Sequence, residues 1–366
     1  MRYPYLPIFL VFLSVIKTAQ AAAPSYDSYK AWLVSCDNTL TCEAKGFLND
    51  ESTIAGNTQI NGRVDLRFIR NAGPDGRTEA RLSAGFPFGL TDLKVDAKPL
   101  VLAPSAWQLK TQDGNTVLST RQPAAIAALL TQLRDGTMLH VRDDGVPLSG
   151  LKAALLRMDD KQGRIDGVTA LIRQGPKPAS TVPPAPLTPS IPPAHATPSL
   201  PLHEQTHLLE LTRTTQAELI KKYDCENLDK EQDDLLLTGA YTLDHNNALV
   251  LIGCAMGAYQ GTSLAFVVSR TGKGQARPAS LPRPVLSKED SRQNDNTLTG
   301  PDLDKATGTL TEFAKGRGLS DCGTSSSWRW DGHSFALTAM TFQSACGGSL
   351  PSDWPTLYRS TKQKSP

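Results

Sequence analysis

His203-Glu204-Gln205-Thr206-His207 fits H-E-x-x-H. On a helix that pattern sets two imidazoles one turn apart to hold zinc, beside a carboxylate that can act as general base. The neighbouring residues argue against such chemistry. The motif begins two residues after a proline-rich stretch, with no helical turn before it. Gln205 and Thr206 are polar where a buried zinc helix is usually apolar, and Glu210 stands where one metalloprotease subclass requires glycine. Glu226 or Glu231 could be a third ligand only by assumption. We read the segment as a solvated start to the following domain and expect no metal and no cofactor. Zinc-dependent hydrolysis through His203 and His207 is the alternative.

Other nucleophile patterns are absent. No G-x-S-x-G occurs, and the S-x-x-K from Ser14 to Lys17 lies in an apolar leader. Asp302-Leu303-Asp304 is too sparse for a calcium loop. Lys315-Gly316-Arg317-Gly318 could offer two cations and permissive backbone to an anion, or could be a charged strand end turned to water. Trp328 and Trp330, two apart on an expected strand, share a face, with Arg329 opposite. Buried beside cysteines, they and Trp354 are core. Exposed, they make a stacking platform for sugar or peptide, flanked by Arg317 and His333. The candidate binding residues are therefore Lys315, Arg317, Trp328, Trp330 and His333, and none is assigned a catalytic role.

The six cysteines take their meaning from the N-terminus. Arg2, the apolar run Leu6 to Ile16 and the small-x-small Ala19-Gln20-Ala21 read as a secretory signal over residues 1–21. The run is about half the length of a spanning helix, and no cysteine near the cleavage point could carry a lipid. We expect a periplasmic or secreted product with no membrane span after cleavage, and so oxidised sulfur. Cys36 and Cys42 flank the turn pair Asp37-Asn38 between strand-like segments and can bridge across a hairpin. Cys225, Cys254, Cys322 and Cys346 allow three connectivities, of which Cys225–Cys254 with Cys322–Cys346 is the simplest. Zinc ligation is the rival, but no C-x-x-C pair occurs. The formal charge of +2 includes Arg2 and Lys17, so the mature chain is near neutral. Nothing electrostatic favours nucleic acid or an anionic membrane as partner.

A length of 366 residues leaves room for two ordinary domains. In residues 22–174, Arg63 to Arg70 alternates, with Val64, Leu66 and Phe68 on one face and Asp65 and Arg67 on the other. Strands are expected over Thr78 to Leu82, Leu93 to Val95, Trp107 to Lys110 and Val117 to Thr120, the last two joined at Asp113-Gly114-Asn115. Pro123 opens a helix through Leu133, Met138 to Arg142 is a strand, Ser149 caps a helix from Leu151 to Met158, and Val168 to Arg173 closes the half as a strand. This is an α+β pattern. Residues 175–201 are about one-third proline and should form an extended, semi-rigid linker, able to reach roughly 80 Å. Residues 202–366 read as mainly β: a strand near Leu208 to Thr212, one early helix with a capping box at Thr215 to Glu218, then strands over Tyr241 to Leu243, Ala248 to Cys254, Leu264 to Ser269, Leu310 to Phe313, Ser327 to Trp330 and Phe335 to Thr341.

The blocks Cys36-Asp37-Asn38-Thr39-Leu40-Thr41-Cys42, Asp160-Lys161-Gln162-Gly163-Arg164, Thr169-Ala170-Leu171-Ile172, Lys315-Gly316-Arg317-Gly318, Asp321-Cys322-Gly323, Trp328-Arg329-Trp330-Asp331-Gly332 and Asp353-Trp354-Pro355-Thr356-Leu357 resemble the domain-of-unknown-function 1176 family of bacterial envelope proteins. The resemblance covers nearly all of the mature chain except the linker. The first half also resembles, more weakly, the invasion-associated locus B family, in its W-x-x-x-C opening and from Gly136 to Leu156. The resemblance implies a Gram-negative periplasmic or secreted protein and brings no activity or catalytic residue with it. One departure stands out, because the family block reads Gly-Asp-Cys-Gly and this chain has Ser320 in place of the first glycine. Together these features lead us to expect a non-enzymatic binding protein whose partner is another envelope protein or a cell-wall component. A protein that binds glycans or small ligands through its tryptophans is a further alternative.

Overall fold

The computed structural model describes residues 21–49, 63–112, 114–191, 193, 196–197, 199–225, 238–271, 273–286 and 296–362. The expected signal up to residue 20, Asp113, Glu226 and Glu231 lie outside the described residues.

The first half is built from β1 (Ser25–Tyr29), β2 (Trp32–Cys36), β3 (Cys42–Phe47), β4 (Asp65–Arg70), β5 (Thr78–Ala84), β6 (Leu93–Val95), β7 (Lys98–Pro99), β8 (Gln108–Gln112) and β9 (Asn115–Thr120). After them come α1 (Pro123–Leu133), β10 (Met138–Val141), β11 (Asp144–Pro147) and α2 (Leu151–Lys161). Seven strands form an antiparallel sheet in the order β1-β2-β3-β4-β5-β9-β8, and four more pair as β11-β10-β6-β7. The register sets Val34 opposite Ala44, Ala44 opposite Phe68, Leu66 opposite Leu82 and Leu82 opposite Leu118. These side chains therefore share one face. That face is one apolar cluster with Leu129 and Leu133 of α1 and with Leu151, Leu155 and Met158 of α2. Trp32 lies across β3 at Gly46, where a Cβ would come within 2.3 Å of the indole. Its N–H donates to the Pro147 carbonyl at 2.9 Å.

The second half contains β12 (Ser190–Ile191), α3 (Leu202–Thr215), α4 (Ala217–Lys222), β13 (Gly239–Thr242), β14 (Asn247–Met256), β15 (Gly261–Ser269), β16 (Arg277–Pro278) and β17 (Thr297–Thr299). It ends with β18 (Pro301–Asp304), β19 (Thr309–Lys315), β20 (Gly323–Trp330), β21 (Phe335–Gln343), β22 (Thr356–Arg359) and β23 (Thr361–Lys362). One sheet runs β13-β14-β15-β16 with β17 beside β15, and the other runs β18-β19-β20-β21-β22. The first is buried on both faces. Val250, Ile252, Leu264 and Phe266 pack with Leu208 of α3 and Ile220 of α4. Leu249, Leu251, Ala265 and Val267 pack with Leu310, Trp328 and Leu337 of the other sheet. This accounts for the unbroken apolar run at the centre of β14.

Several expectations need correction. The chain is mostly β with few helices, and the second half begins with two helices, so Leu208 to Thr212 lies within α3 instead of forming a strand. Its apolar side chains repeat at helical spacing, with Leu208 and Thr212 on the buried side. The expected capping box is absent, because Gln216 occupies the N-cap of α4 and the Thr215 hydroxyl donates back to the Leu211 carbonyl. Gly150, not Ser149, precedes α2, at φ 105°, where a side chain would be strained. Val168 to Arg173 forms turns, not a strand, because the carboxylate of Asp159 holds the backbone N–H groups of Leu171 and Ile172 at 2.8 and 3.1 Å. The described part of the proline-rich stretch has one short 3-10 turn, Ala179–Thr181, and packs several of its apolar residues. Val182, Ile191 and Leu200 are buried, and β12 pairs in parallel with β23.

The polar face of the large sheet is covered too. Lys45, Asp65 and Arg67 are buried beneath the second half. The Lys45 ammonium donates to Gln343 Oε1 at 2.7 Å, Ser349 Oγ at 2.9 Å and the Asp353 carbonyl at 3.0 Å. Arg67 forks onto Asp65 at 2.6 and 2.9 Å and reaches Asp353 at 3.2 Å. The turn between β2 and β3 docks at β22. Asn38 exchanges hydrogen bonds with the Arg359 backbone at 2.9 and 2.8 Å, and the Asp37 carboxylate accepts from the Arg359 guanidinium.

Disulfides join Cys36 to Cys42, Cys225 to Cys254 and Cys322 to Cys346, with sequence separations of 6, 29 and 24. On loop entropy alone, replacing the Cys36–Cys42 pair by serines should cost roughly 2 kcal/mol and the Cys225–Cys254 pair roughly 3.5 kcal/mol. Denaturant unfolding of the two double mutants checks this order, and a larger loss for the shorter loop would contradict it. No helix among the described residues is long and apolar enough to cross a membrane.

Candidate functional site

The end of α2 carries its apolar stripe into a cluster of charge. Leu151, Leu155 and Met158 are followed on the buried side by Asp159 and Gln162, and the chain then turns back at Gly163, φ 66°. Asp159, fully buried, faces Arg70 at the end of β4. The Arg70 guanidinium donates to Asp159 at 2.7 Å, to Gln162 Oε1 at 2.6 Å and to the Thr169 carbonyl at 3.2 Å. Gln162 donates in turn to the Leu40 and Arg70 carbonyls at 2.8 and 2.9 Å. Asp159 thus holds a cation with one oxygen and the 171–172 backbone with the other.

Arg164 differs from Arg70. It is 1% exposed and donates to the Thr169 hydroxyl at 2.8 Å and the Gly73 carbonyl at 2.6 Å, both neutral acceptors. Its Nε has no hydrogen-bond partner. Burial, with Arg70 beside it, pulls the guanidinium down to about 10. A buried cation held only by neutral oxygens is a costly arrangement in the absence of a counter-charge.

Arg70 and Arg164 lie in the wall of a groove of about 890 Å³, within the range of roughly 300–1,000 Å³ usual for small-ligand sites. One side is α1, through Ile126, Ala127, Leu130 and Thr131. The other is the β4–β5 turn with Arg77, and the turns at 164–174 with Val168, Leu171 and Ile172. Arg121 and Lys152 also line it but are paired, to Glu79 at 2.6 Å and to Asp135 at 2.9 Å. The lining contains no histidine, cysteine, serine or glutamate, and its one carboxylate, Asp75, is exposed. Such a set can hold an anion and an apolar group. It has no nucleophile–base pair for covalent catalysis.

The residues singled out from the sequence lie elsewhere. His203 and His207 sit on α3, both exposed. Glu204 between them is ion-paired with Arg270 at 2.8 Å, and that hydrogen bond lowers its pKa, so it is not free to act as a base. The one cluster of metal-ligating types among the described residues is Asp321, Cys322 and Cys346, and both of its sulfurs are in a disulfide.

Trp328 and Trp330 are buried. Their N–H groups donate to the Pro282 carbonyl at 2.8 Å and to Asp244 at 2.6 Å, with Arg283 over the Trp328 ring at 4.8 Å. Trp354 stacks on Phe313 at 5.4 Å. The core alternative describes these rings, since a buried face cannot serve as a platform. Lys315 pairs with the first residue of β20, whereas His333 is exposed in the turn after its last. They are therefore separated by the length of a strand. Arg317 is forked onto Asp321 at 2.7 and 2.5 Å. Ser320 has φ 56°, the left-handed region that glycine adopts without cost. Ser320→Gly should therefore raise stability by up to about 1 kcal/mol, read as a shift in the unfolding midpoint, and no gain would show the turn to be unstrained.

The groove was missed by sequence reasoning although Arg164, at the end of one family-like block, and the whole block Thr169 to Ile172 line it. A family model described as "Protein of unknown function (DUF1176)" matches residues 26–361. Among curated proteins, this chain is similar to the uncharacterized protein YpfG of Escherichia coli (strain K12), at 31% identity over 374 residues, covering 98% of this chain and 99% of the other. Among solved structures it is similar to invasion associated protein b from Bartonella henselae. The identity is 22% and the TM-score 0.26, over 38% of this chain and 98% of that one.

Proposed function

The chain belongs to the DUF1176 family, whose function is unknown, and from that premise we propose that it is an exported, non-enzymatic binding protein. Its compartment is the periplasm or the extracellular space, its partner is an envelope or cell-wall component, and its binding site is the groove beside α1. The observation that carries this reading is a groove of small-ligand size with several cations in its wall and a single, exposed carboxylate, Asp75, in its lining. Three disulfides with no free cysteine among the described residues support residence in an oxidising compartment. In this reading residues 22–174 and 202–366 are two domains that work as one packed body, with 175–201 laid along them.

The test uses the mature chain incubated with envelope extract and read by native mass spectrometry. Wild type should retain a bound species that Thr131→Trp, which fills the groove from the exposed side of α1, does not. Equal retention by both proteins would contradict the assignment. Export is tested on the full chain expressed in a Gram-negative host: the recovered product should start near residue 22 and have no alkylatable thiol. An intact N-terminus with free thiols would contradict it.

A further inference from the structure

We infer that the groove takes a small anion-headed amphiphile, with its phosphate or carboxylate at Arg164 and Arg77 and its apolar chain against Val168, Leu171 and Ile172. This rests on the reading of the groove as the binding site and adds the chemical class of the ligand. The first support is Arg164. Its guanidinium is nine-tenths buried or more, contacts only uncharged oxygens, and leaves Nε without an acceptor. Asp159 offsets its charge only in part, since burial and Arg70 still hold its pKa at about 10. An anion in the groove would therefore add counter-charge, and charge-assisted bonds to a guanidinium are the strong ones.

The second support is the distribution of pairing among the other cations. Arg70 is paired with Asp159 and Arg121 with Glu79, while Lys152 and Arg134 share Asp135. Arg77, exposed on the β4–β5 turn, has no ion pair among the described residues. Arg164 and Arg77 are thus the cations of the lining with no ion pair among the described residues. The third support is the apolar strip beside them: Val168 is 57% exposed, and Leu171 and Ile172 are half-buried. Val168, Leu171 and Ile172 are held at the groove because Asp159 fixes the backbone of the turn that carries them. A charged head alone would leave that strip wet, and a purely apolar ligand would leave Arg164 unpaired.

The experiment is a calorimetric titration of the mature chain with decyl phosphate below its micellar concentration, with decanol as the uncharged counterpart and phosphatidylglycerol vesicles as the bilayer form of the same head. Decyl phosphate should bind at least about tenfold more tightly than decanol, the value of one charge-assisted hydrogen bond. Arg164→Gln should remove about tenfold of that affinity and Arg164→Lys less. Arg77→Gln and Val168→Asp, both at exposed positions, should each weaken binding by roughly twofold to fivefold with the unfolding midpoint unchanged. Equal binding of decanol and decyl phosphate, or indifference to both exposed variants, would overturn the anion assignment and leave the groove as a binding site. Binding to vesicles without binding to the monomer would overturn the monomeric ligand. If no probe binds and Thr131→Trp retains the envelope species as wild type does, the groove reading fails as well.

Discussion

Asp159→Ala is expected to destabilise the chain by about 3–5 kcal/mol, the cost of removing one partner from a buried ion pair. The carboxylate is fully buried and has three obligations: the Arg70 guanidinium and the N–H groups of Leu171 and Ile172. Without it, two guanidiniums at the base of α2 share a buried site with no carboxylate in contact. The turns at 164–174 also lose the anchor that keeps them from pairing as a strand. Asp159→Asn should cost less, because an amide oxygen can still accept, but it removes the charge that offsets Arg70. Urea unfolding of the two variants measures both effects. A loss under 1 kcal/mol for Asp159→Ala would mean that water replaces the carboxylate, and the wall of the groove would not be built as described.

Lys45→Ala should also destabilise, by about 1–3 kcal/mol for each buried acceptor it leaves without a donor, but between the halves. Its ammonium satisfies three acceptors contributed by residues 343–353, and its removal leaves them unsatisfied in a space that solvent does not reach. Burial first, and then Arg67, brings the Lys45 pKa down from 10.5 to about 8. The sign of the pH effect follows. Between about 8 and 10.5 the unfolded chain binds a proton at this position that the folded chain does not, so stability rises with pH. The contribution is complete above 10.5 and is lost as pH falls through about 8. Relative to Lys45→Met, wild type should gain stability across that window and show a constant difference below it. A difference that shrinks as pH rises would contradict burial as the cause.

Local signals made much of the fold legible. Pro123 and the Arg134-Asp135-Gly136 stop bracket α1 at the residues observed. The Asp37-Asn38 turn between two cysteines gave a bridged hairpin. Alternation gave β4, and the turn residues Pro74-Asp75-Gly76, His245-Asn246-Asn247 and Asp331-Gly332 gave the β4–β5, β13–β14 and β20–β21 hairpins. What stayed hidden depended on what covers a face. The run Asp65, Arg67 reads as a solvated side of a half-buried strand, yet both are buried, because a second polar surface fits over them. The tryptophans had two readings for the same reason, and the second sheet decided between them.

The groove was hidden by distance along the chain. Arg70, Asp159 and Arg164 become a cluster only when the end of β4 meets the end of α2. One signal was available: Asp159 and Gln162 continue the buried stripe set by Leu151, Leu155 and Met158. A carboxylate on the apolar side of a helix needs a partner, and the candidates were arginines. His203 and His207 were read as a solvated segment from their polar neighbours, and both are exposed, although on a helix that the sequence reading had not placed there.

Hydrogen–deuterium exchange of the mature chain, with and without decyl phosphate, tests the central claim most directly. The account predicts slowed exchange in peptides covering 74–78, 126–134 and 164–174, with the rest of the chain unchanged. Protection at 315–334 instead, or no protection anywhere with the ligand in excess, would contradict it.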